Sequence, residues 1–249
     1  MTIFYFTGTG NSLAVAKRIG GNLISIPKII GSVNQKYEDN IIGFVFPIYA
    51  LAAPKMVRQF LEKVQFKADY TFAIGTYGNS TGSAMKDIQK LAKKNGNSFD
   101  YTDSVKMVDN CLPIFDIGKE IENIPKKKTE EKIILIKENI ENKISKQEKS
   151  SIAMQMFSAI ISGLLKYEKS AKKYIVNKQC NKCGICMQVC IGKNIKIQDN
   201  NIYFNENCAG CQACIHLCPQ NAIHLKNEKN NIRWINPDVT INEIILANN

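Results

Sequence analysis

Histidine is nearly absent from these 249 residues, which hold only two. Without a Ser/His/carboxylate set or a pair of catalytic carboxylates, hydrolytic and general acid–base chemistry are poorly supported. Long apolar runs are missing too. The most apolar stretch, inside residues 152–165, is interrupted by Gln155, Ser158 and Ser162 and falls short of the roughly 20 residues of a membrane span. No basic n-region or small-residue cleavage site marks the start, so no export signal is expected. The formal charge is +11, of which +6 falls in residues 126–175. No aromatic-interleaved basic stripe accompanies it, and nucleic-acid binding is not expected. Cysteine is scarce over most of the chain, with Cys111 standing alone outside residues 180–218.

A hydrophobic content of 45% and a charged content of 22% are those of a folded globular protein. The length suits one to two domains. Over residues 1–125 strand and helix signals alternate. Apolar β-rich runs at 2–6, 23–26, 41–46, 70–75 and 101–108 are separated by helical spacing after residue 11, over 54–64 and over 82–97. Such alternation predicts an α/β fold with a doubly wound parallel sheet. Residues 126–175 shift to helix formers, with Ile133, Ile136, Ile140 and Ile144 on one face of a first helix. A second helix is expected over 152–173, ending in Lys166, Lys169, Lys172 and Lys173. It is read as packing between domains, with a membrane surface or a partner protein as the alternative. The expected division is 1–125, a helical segment 126–175, a cysteine-rich unit 176–226 and a tail 227–249.

Cys180, Cys183, Cys186 and Cys190 form C-x2-C-x2-C-x3-C, and Cys208, Cys211, Cys214 and Cys218 repeat it, with Pro219 following. Three thiolates two residues apart suit one cubane, while the fourth points at the other cluster. The spacing therefore predicts two [4Fe–4S] clusters, one on Cys180, Cys183, Cys186 and Cys218 and one on Cys208, Cys211, Cys214 and Cys190. Structural zinc also uses C-x2-C pairs but needs only four ligands. Disulfides would suit a secreted protein, whereas this clustering suits a reducing cytoplasm. His216 and His224 read as shell residues, and Cys111 as a buried spectator. Residues 195–204 read as a hairpin.

After the first strand comes Thr7-Gly8-Thr9-Gly10-Asn11-Ser12. Glycines, hydroxyls and a helix N-terminus together favour a phosphate. The loop is neither a Walker A sequence nor G-x-G-x-x-G, since Leu13 stands at the third glycine position; a plain β-α turn is the alternative.

The six residues resemble the phosphate loop of flavodoxins. That resemblance implies FMN, with its phosphate on Thr7, Thr9, Asn11 and Ser12. Its ring would lie between two later loops, Pro47-Ile48-Tyr49-Ala50 and Thr76-Tyr77-Gly78-Asn79, with Tyr49, Tyr77, Gly78 and Asn79 as contacts. Residues 178–225 resemble the bacterial two-cluster ferredoxins, departing from them at Ile191, where that family has proline. The whole order resembles the flavodoxin–ferredoxin fusions known as EFR1-type ferredoxins. It implies an electron carrier serving a redox partner protein. A flavin-dependent reductase with its own small substrate and an accessory subunit of a larger redox complex are the alternatives.

Overall fold

The computed structural model describes residues 1–32, 36–165 and 171–249. In chain order its elements begin β1 (Thr2–Tyr5), α1 (Asn11–Ile19), β2 (Asn22–Ser25), α2 (Ile26–Ile29), β3 (Lys36–Glu38), β4 (Ile41–Pro47), α3 (Lys55–Leu61), β5 (Gln65–Lys67), β6 (Tyr70–Tyr77), α4 (Ala84–Lys94) and β7 (Tyr101–Lys106). β1, β2, β4, β6 and β7 form one wholly parallel sheet in the order β2-β1-β4-β6-β7. Counting only those five, the order is 2-1-3-4-5, the flavodoxin-like doubly wound arrangement. β3 and β5 pair with each other outside that sheet.

Alternation along each strand divides the core into two layers. Ile3 and Tyr5 of β1, Val45 of β4 and Phe72 and Ile74 of β6 pack with Leu13, Val15, Ala16 and Ile19 of α1. Phe4, Phe6, Ile42, Phe44 and Phe46 face the other side, against Val57, Phe60 and Leu61 of α3 and Met85, Ile88 and Ala92 of α4. Gly43 is required here, because a Cβ would stand 2.1 Å from the Phe72 ring.

The chain continues with α5 (Ile117–Glu122), α6 (Thr129–Glu141) and α7 (Ile152–Leu164). α6 lays Ile133, Ile136 and Ile140 beside α1, completing the first layer. α7 is capped by Ser151, whose hydroxyl accepts from Met154 N. It is tied down by Ser158, which is buried and accepts from Ser83 N at 3.0 Å. Ile152, Met156, Phe157, Ile160 and Leu164 remain exposed. The helix stops at Leu164, short of the expected 173; Lys166 and Lys169 lie outside the described residues. Among the described residues no helix is long and apolar enough to cross a membrane.

The cysteine-rich segment holds β8 (Tyr174–Val176), α8 (Ile185–Gln188), β9 (Ile195–Gln198), β10 (Asn201–Phe204), α9 (Ala213–His216) and β11 (Ile223–Leu225). β9 and β10 form the expected hairpin, turning at Asp199 and Asn200, both at positive φ, as a two-residue turn demands. β8 pairs antiparallel with β11 and closes the segment. Residues beyond 226 then run back to the sheet. They end in α10 (Ile241–Asn248), which opens with a Thr240/Glu243 capping box and buries Ile244 and Ala247 in the α1 layer. Lys17 of α1 pairs with Glu243 at 2.7 Å.

Candidate functional site

At the carboxyl ends of β1, β4 and β6 lies a cavity of about 380 Å³, within the range of small-molecule sites and where an open α/β sheet binds ligands. Thr7, Gly8, Thr9, Asn11 and Ser12 border it on one side. Pro47 and Tyr49 border it from the loop after β4, and Tyr77, Gly78 and Asn79 from the loop after β6. Thr7, Thr9 and Ser12 are at most 2% exposed, so their hydroxyls belong to the interior. Thr7 Oγ1 accepts from Gly10 N at 3.2 Å, and Ser12 Oγ and Thr76 Oγ1 are hydrogen-bonded at 2.8 Å. Gly10, at φ 99°, stands against Asn236 and Val239 instead.

Asn11 borders the cavity, but its side chain is engaged elsewhere. Nδ2 donates to Val108 O at 3.1 Å, while Oδ1 accepts from Trp234 Nε1 at 3.0 Å and from Asn236 Nδ2 at 3.2 Å. The returning segment thus holds the loop from behind, and Asn236 N adds a bond to Thr9 O at 2.9 Å.

A third loop after β7 also borders the cavity, through Val108, Asp109, Asn110 and Cys111, and was not singled out from sequence; the rule that ligands sit at strand carboxyl ends would have pointed to it. Asn110 Nδ2 donates to Thr9 Oγ1. Asp109 packs against Gly78, where a Cβ would stand 2.1 Å from its own. Burial lifts the Asp109 carboxyl to about 6; the Cys111 N–H and Lys127 oppose the rise and Glu120 adds to it. Burial and the Asp109 charge push the Cys111 thiol up to about 12, which leaves it protonated and unreactive at neutral pH. Burial likewise raises Tyr49 well above its usual value, with Cys211 and Cys111 adding to the effect. The cavity mouth is apolar, with Ile114, Phe115, Met154, Phe157, Ile161 and Leu165 around it.

The second cysteine motif forms the remaining wall. Gly210, Cys211 and Gln212 border the same cavity. A Cβ on Gly8 would stand 3.1 Å from Cys211 Cβ, from Cys211 O and from Tyr49 Oη. Gln212, buried and at φ 56°, accepts from Leu112 N at 3.0 Å and reaches Cys111 Sγ at 3.9 Å. His216 is buried between Asn110 O, 2.7 Å from Nε2, and Trp234 N, which donates to Nδ1 at 3.1 Å. Burial depresses it to about 4, so it stays neutral, donating through Nε2. His224 belongs to a separate ion network with Glu228 and Arg233.

The cysteines fall into two groups. Cys190, Cys208, Cys211 and Cys214 line one small pocket together. After burial, the largest influence raising the Cys186 thiol to about 11 is Cys218, followed among the thiols by Cys180 and Cys183. Burial raises Cys214 strongly, and Cys211, Cys190 and Cys208 then add to it. Backbone amides approach the sulfurs in matching fashion: Asn194 N to Cys190 Sγ at 3.1 Å, Ala222 N to Cys218 Sγ at 3.3 Å, and Gly210 N to Cys208 Sγ at 3.3 Å. No disulfide joins them. Among the described residues, no three Cys, His, Asp or Glu side chains gather closely enough to hold one metal ion. Four thiolates around a cubane bind four separate irons and stand farther apart than four on a single ion.

No family model and no curated protein matches the chain. Solved structures give partial likenesses. A protein described as a flavoprotein, from Bacteroides uniformis ATCC 8492, is 17% identical over 50% of this chain and 97% of its own, with a TM-score of 0.33. A two-electron reduced flavodoxin from Megasphaera elsdenii is 17% identical over 42% of this chain and 84% of its own, with a TM-score of 0.30. The Trp repressor binding protein from Bacillus subtilis is 15% identical over 43% of this chain and 83% of its own, with a TM-score of 0.32. Strand order and connectivity alone establish the flavodoxin-like fold of the sheet.

Proposed function

We propose that this chain is an electron-transfer protein that binds one FMN and two [4Fe–4S] clusters and exchanges electrons with a redox partner protein. One observation carries the reading: Cys211 and Gln212 border both the loop cavity and the four-cysteine pocket. Two cofactor sites with a common wall suit exchange between them.

The residues present fit each group. For FMN, the hydroxyls of Thr7, Thr9 and Ser12 at the start of α1 would hold the phosphate, and the loops bearing Tyr49 and Tyr77 would flank the ring. For the clusters, the two crossed cysteine sets supply four sulfurs each, and the amides on Cys190, Cys208 and Cys218 stabilise sulfur as an acceptor. When bound, a cluster carries single electrons and a flavin carries one or two. The chain's own part is to hold these sites and fix their spacing, with Cys214 and the Thr7, Thr9 and Ser12 hydroxyls buried and Cys183 at the surface. The order of a flavodoxin-like sheet followed by the doubled cysteine motif agrees with the resemblance to EFR1-type fusions, with 176–226 as the ferredoxin-like unit. Eight clustered thiols suit a reducing cytoplasm.

A second reading, a flavin-dependent reductase with its own small substrate, draws on the apolar mouth beside Met154 and Phe157. The deciding experiment is anaerobic purification with counts of iron, sulfide and flavin. About eight iron and one FMN per chain support the relay. Zinc in place of iron, or no flavin after reconstitution, defeats the corresponding half. Turnover of a small two-electron acceptor without any partner protein would favour the reductase.

A further inference from the structure

The two cysteine sets differ in where they sit. None of Cys180, Cys183 or Cys186 borders the loop cavity, and Cys183 is exposed. Of the other set, Cys211 borders the cavity, while Cys190, Cys208 and Cys214 line the adjoining small pocket with it. Gly210, Cys211 and Gln212 form the cavity's wall, and Cys211 packs against Gly8 so closely that a Cβ there would meet it at 3.1 Å.

The contact reaches the ligand-facing groups through two short chains of bonds. In the first, Gln212 Oε1 holds Leu112 N at 3.0 Å, fixing the loop whose Asn110 donates to Thr9. In the second, His216 Nε2 holds Asn110 O at 2.7 Å, while its Nδ1 takes the Trp234 amide at 3.1 Å, and the Trp234 ring nitrogen reaches Asn11. Both start within the Cys211–Cys218 turn and end on the Thr7–Ser12 loop. By the crossed assignment this turn gives Cys211 and Cys214 to one cluster and Cys218 to the other, so ligation would fix the same backbone that carries Gln212 and His216.

We propose that the second cysteine motif is an integral part of the flavin site, so that occupancy of Cys190, Cys208, Cys211 and Cys214 and the binding of FMN strengthen each other, with Gln212 as the positioning residue between them. The inference rests on the flavin reading above. Coupling of this kind is reciprocal and is ordinarily worth on the order of tenfold in affinity. With Cys211 against Gly8, a bound cluster's negative charge would oppose the effect, so the sign is a real commitment: the ordering of the wall outweighs the repulsion.

The test is anaerobic titration of the fully reconstituted chain with FMN, followed by flavin fluorescence and with iron counted on the same samples. Gln212→Ala keeps every cysteine and the cluster charge, and is expected to bind FMN on the order of tenfold more weakly at unchanged iron content. Cys211→Ser is expected to lose more FMN affinity than Cys183→Ser. On the unaltered chain, saturating FMN is expected to preserve iron against a graded chelator, a measurement that needs no variant to fold. Equal FMN affinity in Gln212→Ala and parent, equal losses in the two serine variants, or iron retention indifferent to FMN would each overturn the coupling while leaving the flavin reading intact. A parent chain with full iron that binds no FMN would sink both.

Discussion

The sheet and the cysteine-rich segment are stabilised by different means. The sheet has an apolar layer on each face, and Phe4, Phe44, Phe60, Phe66 and Phe99 form one connected ring cluster. The cysteine segment has short strands and two helical turns of four residues. One cluster holds Cys186, Cys214, Ile195, Ile215, Ile223 and Leu225 with Val108, Leu112 and Ile117 of the sheet body and Trp234, while Val189, Ala213 and Leu217 pack into the α1 layer and Ile191 into the α3/α4 layer. Cysteines occupy places where a self-sufficient core would hold leucine, and part of the remainder is borrowed. A segment of about 50 residues has a small core, to which the proposed cluster ligation would add. On the proposed cluster reading, the comparison sets a scaffold held by burial against one whose core ligation would complete.

On the cluster reading, removing iron gives the sharpest break. With a strong chelator, amide protection is expected to vanish over 176–226 and to persist in β1, β4 and β6, as read by hydrogen exchange. Equal loss in both regions would show one cooperative unit. Next in size, Phe60→Ala empties a site at 0% exposure between Phe4 and Phe44. A cost of about 3–5 kcal/mol in denaturant unfolding is expected, with iron content unchanged in the folded protein.

Asp109 provides a pH test of about 3 kcal/mol. Its folded value near 6 lies above the unfolded value of about 3.9. The stability it contributes is therefore complete below the unfolded value and is lost as pH rises through about 6. Asp109→Asn keeps an acceptor for Cys111 N, which bonds Oδ1 at 3.1 Å. It is expected to flatten the dependence and to leave the variant more stable than the parent at about pH 8. A parent that gains stability over the same range through this site would refute the assignment. The smallest effect concerns the loop after β4, where Tyr49 and Ala52 exchange backbone bonds around Ala50 and Leu51, both at positive φ without being glycine. Ala50→Gly should stabilise by about 1 kcal/mol in thermal unfolding.

The sheet was legible because Ile41 to Phe46 and Tyr70 to Ile74 are apolar runs buried on both faces. β3 and β5 were not, since Lys36, Glu38, Gln65 and Lys67 are exposed and carry no apolar signal. α10 carried a readable cue in Thr240 and Glu243 that passed as part of a tail. Within the site, the loops bearing Tyr49 and Tyr77 could be placed because they follow strands. The bonds from Gln212 to Leu112 and from Asn110 to Thr9 join residues about 100 positions apart, and no local pattern encodes them. Asn11 shows the complementary limit: its type fitted a phosphate contact, yet its side chain is engaged by Trp234 and Asn236, whose position only the fold determines.

The return of residues 227–249 to α1 has a mechanical consequence. A cysteine unit hung on one linker would drift away and have to find the sheet again before each exchange. Here the chain is fastened to the sheet on both sides of that unit, through α6 and α7 before it and through Trp234, Asn236 and α10 after it. In the proposed relay, exchange between the two sites would then need no diffusive search, and its rate is expected not to change when glycerol thickens the solvent.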